Sequence, residues 1–228
     1  MGVFSGGIGF VTYQDLAETP PSEFQPLVGE ALRYLASSAA VREVEWKTRG
    51  HDNAPGLHEA LLDHGFVAGE PESIMIGELR KLAVEVVLPA GVSVRRVLAE
   101  ADVRAVSALQ GMVFGGEVLE ADADALVRRV RTNAQMELWA AEVGGEFVSA
   151  GRLELVPDTP FAGLWGGATR ADWRGRGIYR SVTAARARSA LTHGKTFSNS
   201  DSTEYSRPIL ERSGLVKVGI TTPYVWRQ

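Results

Sequence analysis

From Thr169 to Arg180 the chain reads Thr-Arg-Ala-Asp-Trp-Arg-Gly-Arg-Gly-Ile-Tyr-Arg. Arg174, Arg176 and Arg180 carry charge of the kind that pairs with phosphate oxygens. Gly175 and Gly177 remove the side chains that would hold a phosphate away from the backbone. An alanine- and arginine-rich stretch follows, with Ile178, Val182, Ala185 and Ser189 recurring at helical spacing. A helix that starts directly after a glycine loop offers backbone N–H groups with no intrahelical partner, at the positive end of its dipole. That chemistry holds an anion. The plain alternative is a surface turn whose arginines serve solubility.

Other chemistries are restricted by composition. The 228 residues include no cysteine, which excludes disulfides, thiolate metal sites and a cysteine nucleophile. His51, His58, His64 and His193 have no metal-ligand spacing, and His58 and His64 fall on different sides of one helix, so no metal is expected. The run Gly6-Gly7-Ile8-Gly9 leads into more apolar sequence and not into a helix start, unlike a phosphate loop. A net charge of −4 speaks against general nucleic-acid binding, and the aromatics do not interleave with a basic stripe. Hydrophobic residues at 45% and charged residues at 23% are those of an ordinary globular protein. No apolar run reaches membrane-spanning length and no leader pattern opens the chain, so a cytoplasmic protein without a membrane partner is expected.

The elements that must position the loop can be read in order. Met1 to Tyr13 reads as a strand with a turn at Gly6-Gly7. Ser22 is a candidate N-cap for a helix carrying Phe24, Leu27, Val28, Ala31, Leu32 and Leu35 on one face. A strand over Val41 to Trp46 precedes a helix with Leu57, Leu61 and Leu62 inward, and Ser73 to Leu79 is a further strand. Pro89-Ala90-Gly91 marks a boundary between residues 1–88 and 92–228. Beyond it come a strand over Val92 to Leu98, a helix with Val106, Leu109 and Val113 inward that ends at Gly115-Gly116, and a helix from Ala121 to Arg131. Strands from Met136 to Val143 and Glu146 to Leu155 flank the hairpin glycines Gly144-Gly145. Phe161 to Thr169 is the strand that delivers the loop. After the loop helix, Lys195 to Asn199 reads as a strand, Thr203 to Arg212 as a helix and Val216 to Trp226 as the closing strand. This order predicts an α/β (α+β) fold with a mixed sheet. A faint internal repeat aligns Leu61-Leu62-Asp63-His64-Gly65-Phe66-Val67 with Leu210-Glu211-Arg212-Ser213-Gly214-Leu215-Val216.

Gly167-Ala168-Thr169 followed by Arg174-Gly175-Arg176-Gly177-Ile178-Tyr179 resembles the acyl-coenzyme A motif of the GNAT superfamily of N-acetyltransferases, a strand and then Gln/Arg-x-x-Gly-x-Gly/Ala. Arg174 takes the first position and Gly177 the central glycine, while Tyr179 departs from the last. With the hairpin before it and the late helix ending at Gly214-Leu215, residues 92–228 resemble a complete GNAT domain. The resemblance implies a mostly antiparallel central sheet flanked by helices, and acetyl-CoA as cosubstrate. Its pyrophosphate would rest on N–H groups from Arg174 through Gly175, Arg176, Gly177 and Ile178 to Tyr179, with Arg174, Arg176 or Arg180 near the charge. The pantetheine arm would pair with backbone around Trp165 to Thr169, and an N–H near Ala168 or Thr169 would polarise the acetyl carbonyl for direct attack by an amine.

The resemblance also implies an acid one turn before the late helix ends. That position is Leu210, so the usual tyrosine is missing. Tyr205 becomes the candidate catalytic acid, Asn199 a partner for the pantetheine amides, and Ser206 a neighbour of the thiol; each has a packing, turn or capping role as its alternative. Glu154 is either a residue that orients water or amine or part of a solvated strand face. Glu117, Glu120, Asp122 and Asp124 either favour a cationic acceptor or serve as helix N-terminal charge. Residues 1–88 resemble the second half of the same fold without its motif, as a degenerate half-domain that does not bind acyl-CoA or as an arm for a homodimer. The expected activity is acetyl transfer to a primary amine of a small molecule or peptide. The alternatives are a GNAT domain that binds acyl-CoA as sensor or scaffold without turnover, and transfer of a longer acyl chain or to a hydroxyl.

Overall fold

Alternating and helical apolar patterns mature into eleven strands and seven α-helices in a computed structural model that describes residues 1–4, 7–39, 41–115 and 119–228. The chain divides into two units, residues 1–74 with 219–228, and residues 75–218.

In the first unit β1 (Gly2–Phe4) and β2 (Ile8–Val11) form an antiparallel hairpin, with Gly7 at φ 76° in its turn; Gly6 lies outside the described residues. α1 (Phe24–Ala36) buries Phe24, Val28, Ala31 and Leu35, while Leu27 is exposed. Ser22 does not cap it, because a short 3-10 turn over Pro21–Glu23 precedes the helix. β3 (Glu43–Arg49) lies parallel to β2. α2 (Leu57–Asp63) turns Leu57, Ala60 and Leu61 inward; Leu62, expected inside, falls one step round the helix and is exposed. β4 (Val67–Ala68) and the last residues of β11 (Val216–Arg227) are antiparallel, and β11 also pairs antiparallel with β3. Trp46, Phe66 and Tyr224 close the core of this unit around α1.

The second unit begins inside β5 (Glu72–Glu78). Met75, and Leu79 and Leu82 of the short α3 (Leu79–Leu82), join a core with Leu153, Leu164 and Leu210. The Pro89–Gly91 turn therefore lies inside this unit, after an extended run that follows α3. β6 (Val92–Val97) leads to α4 (Glu100–Phe114), which ends with Gly115 in the left-handed conformation; Gly116 and Glu117 are outside the described residues. α5 (Glu120–Thr132) follows, then β7 (Met136–Val143), β8 (Glu146–Leu155) and β9 (Phe161–Thr169). Gly144 and Gly145, at φ 57° and 84°, make the tight β7–β8 turn. α6 (Ile178–Thr192) connects β9 to β10 (Phe197–Ser202), which lies parallel to it. The other junctions, β6–β7, β7–β8 and β8–β9, are antiparallel.

Two expectations shift here. β10 runs on to Ser202: Ser198, Ser200 and Ser202 alternate inward, and a strand that buries serines carries little hydrophobic signal. α7 is Arg207–Arg212, shorter than the helix expected from Thr203, because Pro208 lacks an N–H and suits only the first turn. Tyr205 therefore sits in the turn before α7 and not on it.

Candidate functional site

β8 and β9 lose register between Ala150 and Arg152, and the irregularity sits at Gly166, whose φ is 59°. Gln110 of α4 donates its amide to the Gly166 carbonyl at 2.6 Å. From the opposite face comes Arg186 of α6, 1% exposed and without a carboxylate partner among the described residues. Its guanidinium donates to the carbonyls of Arg152 at 3.0 Å and Trp165 at 3.4 Å, the cross-strand pair next to the bulge, and to Thr183 Oγ1 at 3.1 Å. Burial pushes this guanidinium down to about 10, so it stays cationic at neutral pH.

Three residues before the bulge, β9 parts from β10. The parallel ladder pairs Phe161, Ala162 and Gly163 with Phe197, Ser198 and Asn199 and then stops, although β9 runs to Thr169 and β10 to Ser202. The β8 side of β9 stays paired through Thr169, so the edge facing β10 is the one that leaves the ladder after Gly163, with the Ser200 hydroxyl donating to the Leu164 carbonyl at 2.8 Å and the edge open from Trp165 onward. At the point of parting, Asn199 Oδ1 is buried with no hydrogen-bond partner. A group that inserted there with an N–H would satisfy it.

The open edge leads into the arginine and glycine loop. Gly177, at φ 79°, is the residue before α6, whose first turn carries no acid. The first N–H groups of the helix, on Ile178, Tyr179 and Arg180, have no intrahelical acceptors. The two glycines differ. A Cβ on Gly175 would meet nothing within 4 Å, whereas one on Gly177 would meet Val86 Cγ1 at 3.3 Å. Arg174 donates to the Thr169 carbonyl at 3.2 Å, and Arg176 lies over the Trp173 ring at 4.7 Å. Among the described residues Arg174, Arg176 and Arg180 make no ion pair, whereas Arg170 is held by Asp172 at 2.9 Å and Glu146 at 3.1 Å. Three arginines without an ion-pair contact among the described residues therefore lie around the start of α6.

Ala168 and Thr169 are buried, and Ser149 Oγ bonds the Ala168 carbonyl and the Thr169 hydroxyl, both at 2.8 Å. Gly167 faces α6, where a Cβ would meet Tyr179 Cε2 at 2.8 Å. Leu210 is 2% exposed and packed in the core, and Tyr205 is 92% exposed, so the late helix brings no hydroxyl to β9 from either position. Ser206 stays in its own turn with Thr203 at 3.4 Å. Glu154 is tied to Arg129 at 2.8 Å and Arg152 at 3.3 Å. Glu120 and Asp124 both pair with Arg104, at 3.0 and 2.6 Å. A groove of about 620 Å³ runs along α4 to the loop, with Leu109, Val113 and Phe147 apolar and Asp102, Arg170 and Arg174 charged.

Arg186 and the Tyr179 contact are what sequence reasoning missed. The available signal was a lone arginine inside Ala184-Ala185-Arg186-Ala187, a run of small residues that suits a helix buried on all sides. Among the described residues no group of three or more His, Asp or Glu could hold a metal ion, and no helix is long and apolar enough to cross a membrane.

No protein-family model matches the sequence, and a search of curated proteins finds no match. Solved structures do match. A GCN5-related N-acetyltransferase from Kribbella flavida aligns with a TM-score of 0.65 at 19% identity, over 90% of this chain and 76% of that one. A conserved protein of unknown function from Staphylococcus epidermidis aligns with a TM-score of 0.69 at 12% identity, over 96% and 84%. A tandem GNAT protein from the clavulanic acid biosynthesis pathway aligns with a TM-score of 0.61 at 15% identity, over 89% and 69%. Such identities speak for architecture, and with the parted strands and the loop at α6 they lead to one statement: this chain has the GNAT fold.

Proposed function

We propose that the chain is an N-acetyltransferase that moves the acetyl group of acetyl-CoA to a primary amine of a small molecule or peptide. The observation that carries this reading is the parting of β9 from β10 directly ahead of a helix N-terminus, around which lie three arginines without an ion-pair contact among the described residues. Acetyl-CoA supplies the thioester and an extended, amide-bearing arm ending in a pyrophosphate. The N–H groups at Gly177 to Arg180, with Arg174 and Arg176, suit the pyrophosphate. The open edge of β9 from Trp165 to Thr169 suits the arm, and Asn199 Oδ1 is an acceptor in want of a donor. A backbone N–H of β9 beside the bulge would polarise the carbonyl, held in place by Gln110 and Arg186. The chain then catalyses by orienting two substrates, with no nucleophile of its own. Residues of the first unit take no part in the chemistry on this reading: the loop between β2 and α1 carries Asp15, Glu18 and Glu23 where the second unit has arginines.

The experiment is a thermal melt with saturating acetyl-CoA, followed by thiol release across an amine library. Because the chain has no cysteine, a thiol reagent reads only coenzyme A. No rise in melting temperature would sink the reading. A second reading, acyl-CoA binding without turnover, is favoured by one observation: Leu210 is buried and apolar where the family's acid stands. Stabilisation without thiol release from any amine would select it.

A further inference from the structure

The two faces of β9 are unequal. On the α6 face Ala162 and Leu164 pack in a core with Ala187 and Ala190. The space under Gly167 on that face is filled by Tyr179, whose Cε2 would lie 2.8 Å from a Cβ there. On the α4 face Gln110, Arg152, Trp165 and Gly166, the residues around the bulge, are only half-buried. An acceptor for a thioester held at the bulge therefore approaches along the α4 face. Arg152 and Trp165 are cross-strand partners, and they alternate with Leu153 and Leu164, which belong to the core on the α6 side. Both side chains thus stand where the acceptor arrives.

The Arg152 fork lies at the bulge itself, where a Cβ on Gly166 would meet Nη1 at 3.5 Å. Its Nε donates to Glu154 Oε1 at 3.3 Å, an oxygen that also takes Arg129 Nη2 at 2.8 Å. Nη1 and Nη2 of Arg152 have no acceptor among the described residues, and the side chain is 26% exposed. The Trp165 indole folds back over Gly163, the cross-strand partner of Glu154, where any side chain would collide with it. Trp139 donates its indole N–H to Glu137 at 2.8 Å, whereas the Trp165 N–H has no acceptor among the described residues. Burial lowers the proton affinity of the Arg152 guanidinium, Glu154 opposes the fall and Arg129 adds to it, so a further anion beside the fork would be stabilising. Two of the α5 acids that would favour a cationic acceptor, Glu120 and Asp124, are already taken by Arg104.

We infer that the acceptor is an amine bearing a carboxylate, which Arg152 grips with its two Nη groups beside the bulge while the Trp165 N–H supplies a further donor. The inference rests on the acetyltransferase reading above and narrows its acceptor. A planar guanidinium matches a carboxylate with two parallel hydrogen bonds, a geometry that a neutral amide does not reproduce. The acceptor nitrogen forms the new C–N bond as the C–S bond breaks, and the proton that it loses reaches the thiolate through water.

The test uses the full chain with acetyl-CoA and reads thiol release for unbranched amino acids of increasing length, from glycine upward. Each acid is compared with its primary amide, both corrected for the free-base fraction of the amine. At least one acid should exceed its amide by about tenfold or more in kcat/KM. Arg152→Gln should bring that ratio close to one, chiefly by raising KM for the acid, and Arg152→Lys should restore part of it. A wild-type chain that acetylates amides as well as acids at every length overturns the inference while the acetyltransferase reading stands. So does an Arg152→Gln chain that keeps both its melting temperature and the preference. A stronger preference for aminoalkyl phosphonates would overturn the choice of carboxylate. A wild-type chain that releases thiol with no acceptor at all overturns both the inference and the reading beneath it.

Discussion

The side-chain amide of Gln110 donates to the Gly166 carbonyl at 2.6 Å, tying the middle of α4 to the residue of β9 whose backbone is left-handed. Gly166 accepts that conformation because it has no Cβ, and a Cβ there would meet Gln110 Nε2 at 2.8 Å. Gln110 thus fixes the bulge from the α4 face while Arg186 fixes it from the α6 face. Gln110→Leu keeps the volume and removes the donor. It should cost about 1 kcal/mol of stability, as one lost hydrogen bond does, and lower kcat about tenfold with little change in coenzyme A affinity. Urea unfolding and thiol-release kinetics check the two halves. An unchanged kcat would mean that the bulge holds its shape without α4.

The arginines around α6 should divide by whether they already have a partner. Arg174→Ala, Arg176→Ala and Arg180→Ala should each weaken coenzyme A binding several-fold, and more at low salt than at high salt. Arg170→Ala should matter less, because Glu146 and Asp172 already neutralise that guanidinium, which in turn holds the Asp172 carboxyl below the usual range. Isothermal titration at two salt concentrations decides it. Equal losses at Arg170 and Arg174 would point to general surface charge and away from a built site. Gly177 is a poor probe of the phosphate, since a side chain there collides with Val86 before it meets a ligand.

The loop from Arg174 to Arg180, the helix it starts and the hairpin before it were legible because their signals are local: glycines, charge and apolar spacing within a few residues. What brings the site together is not local. Nothing in the spacing of Ile178, Val182, Ala185 and Ser189 says that Arg186 is buried, since its position depends on the carbonyls of two strands distant in sequence. Tyr179 was visible as a departure from a motif, yet its contact with Gly167 is a matter of how α6 lies on β9. The serines of β10 hid only the end of a strand expected to stop at Asn199, and Tyr205 falls outside the helix because Pro208 sets its start.

The first unit offers a pH signature of its own. Tyr13 donates its hydroxyl to Asp52 Oδ2 at 2.6 Å, and Asp52 also accepts the Arg49 N–H at 2.9 Å. Burial first, and then the hydrogen bond to Asp52 and its charge, hold the Tyr13 phenol well above its ordinary value of about 10. The folded state thus keeps a proton that the unfolded chain releases. This contribution is complete below about pH 10 and is lost as pH rises above it. Tyr13→Phe should cost about 1 kcal/mol at neutral pH and flatten the fall in stability above pH 10. Denaturant unfolding followed by the fluorescence of the buried Trp46 across that range measures it. Parallel slopes for the two chains would show that other groups drive the alkaline loss.

Arg186 should separate stability from activity. Burial lowers its proton affinity to about 10 in the folded chain, so the charge counts against folding at every pH below that value, and the deficit shrinks as pH rises past it. Arg186→Met removes the buried ion and keeps most of the stem, but it orphans the carbonyls of Arg152 and Trp165. An orphaned carbonyl costs about 1–3 kcal/mol, and relief from burying an ion offsets a similar amount, so the net change should stay within about 2 kcal/mol. Turnover has no such compensation, because the bulge loses its brace. The expected result is a melting temperature near that of the wild type with thiol release down by tenfold or more. A variant that keeps full turnover would show that the guanidinium is there for packing alone.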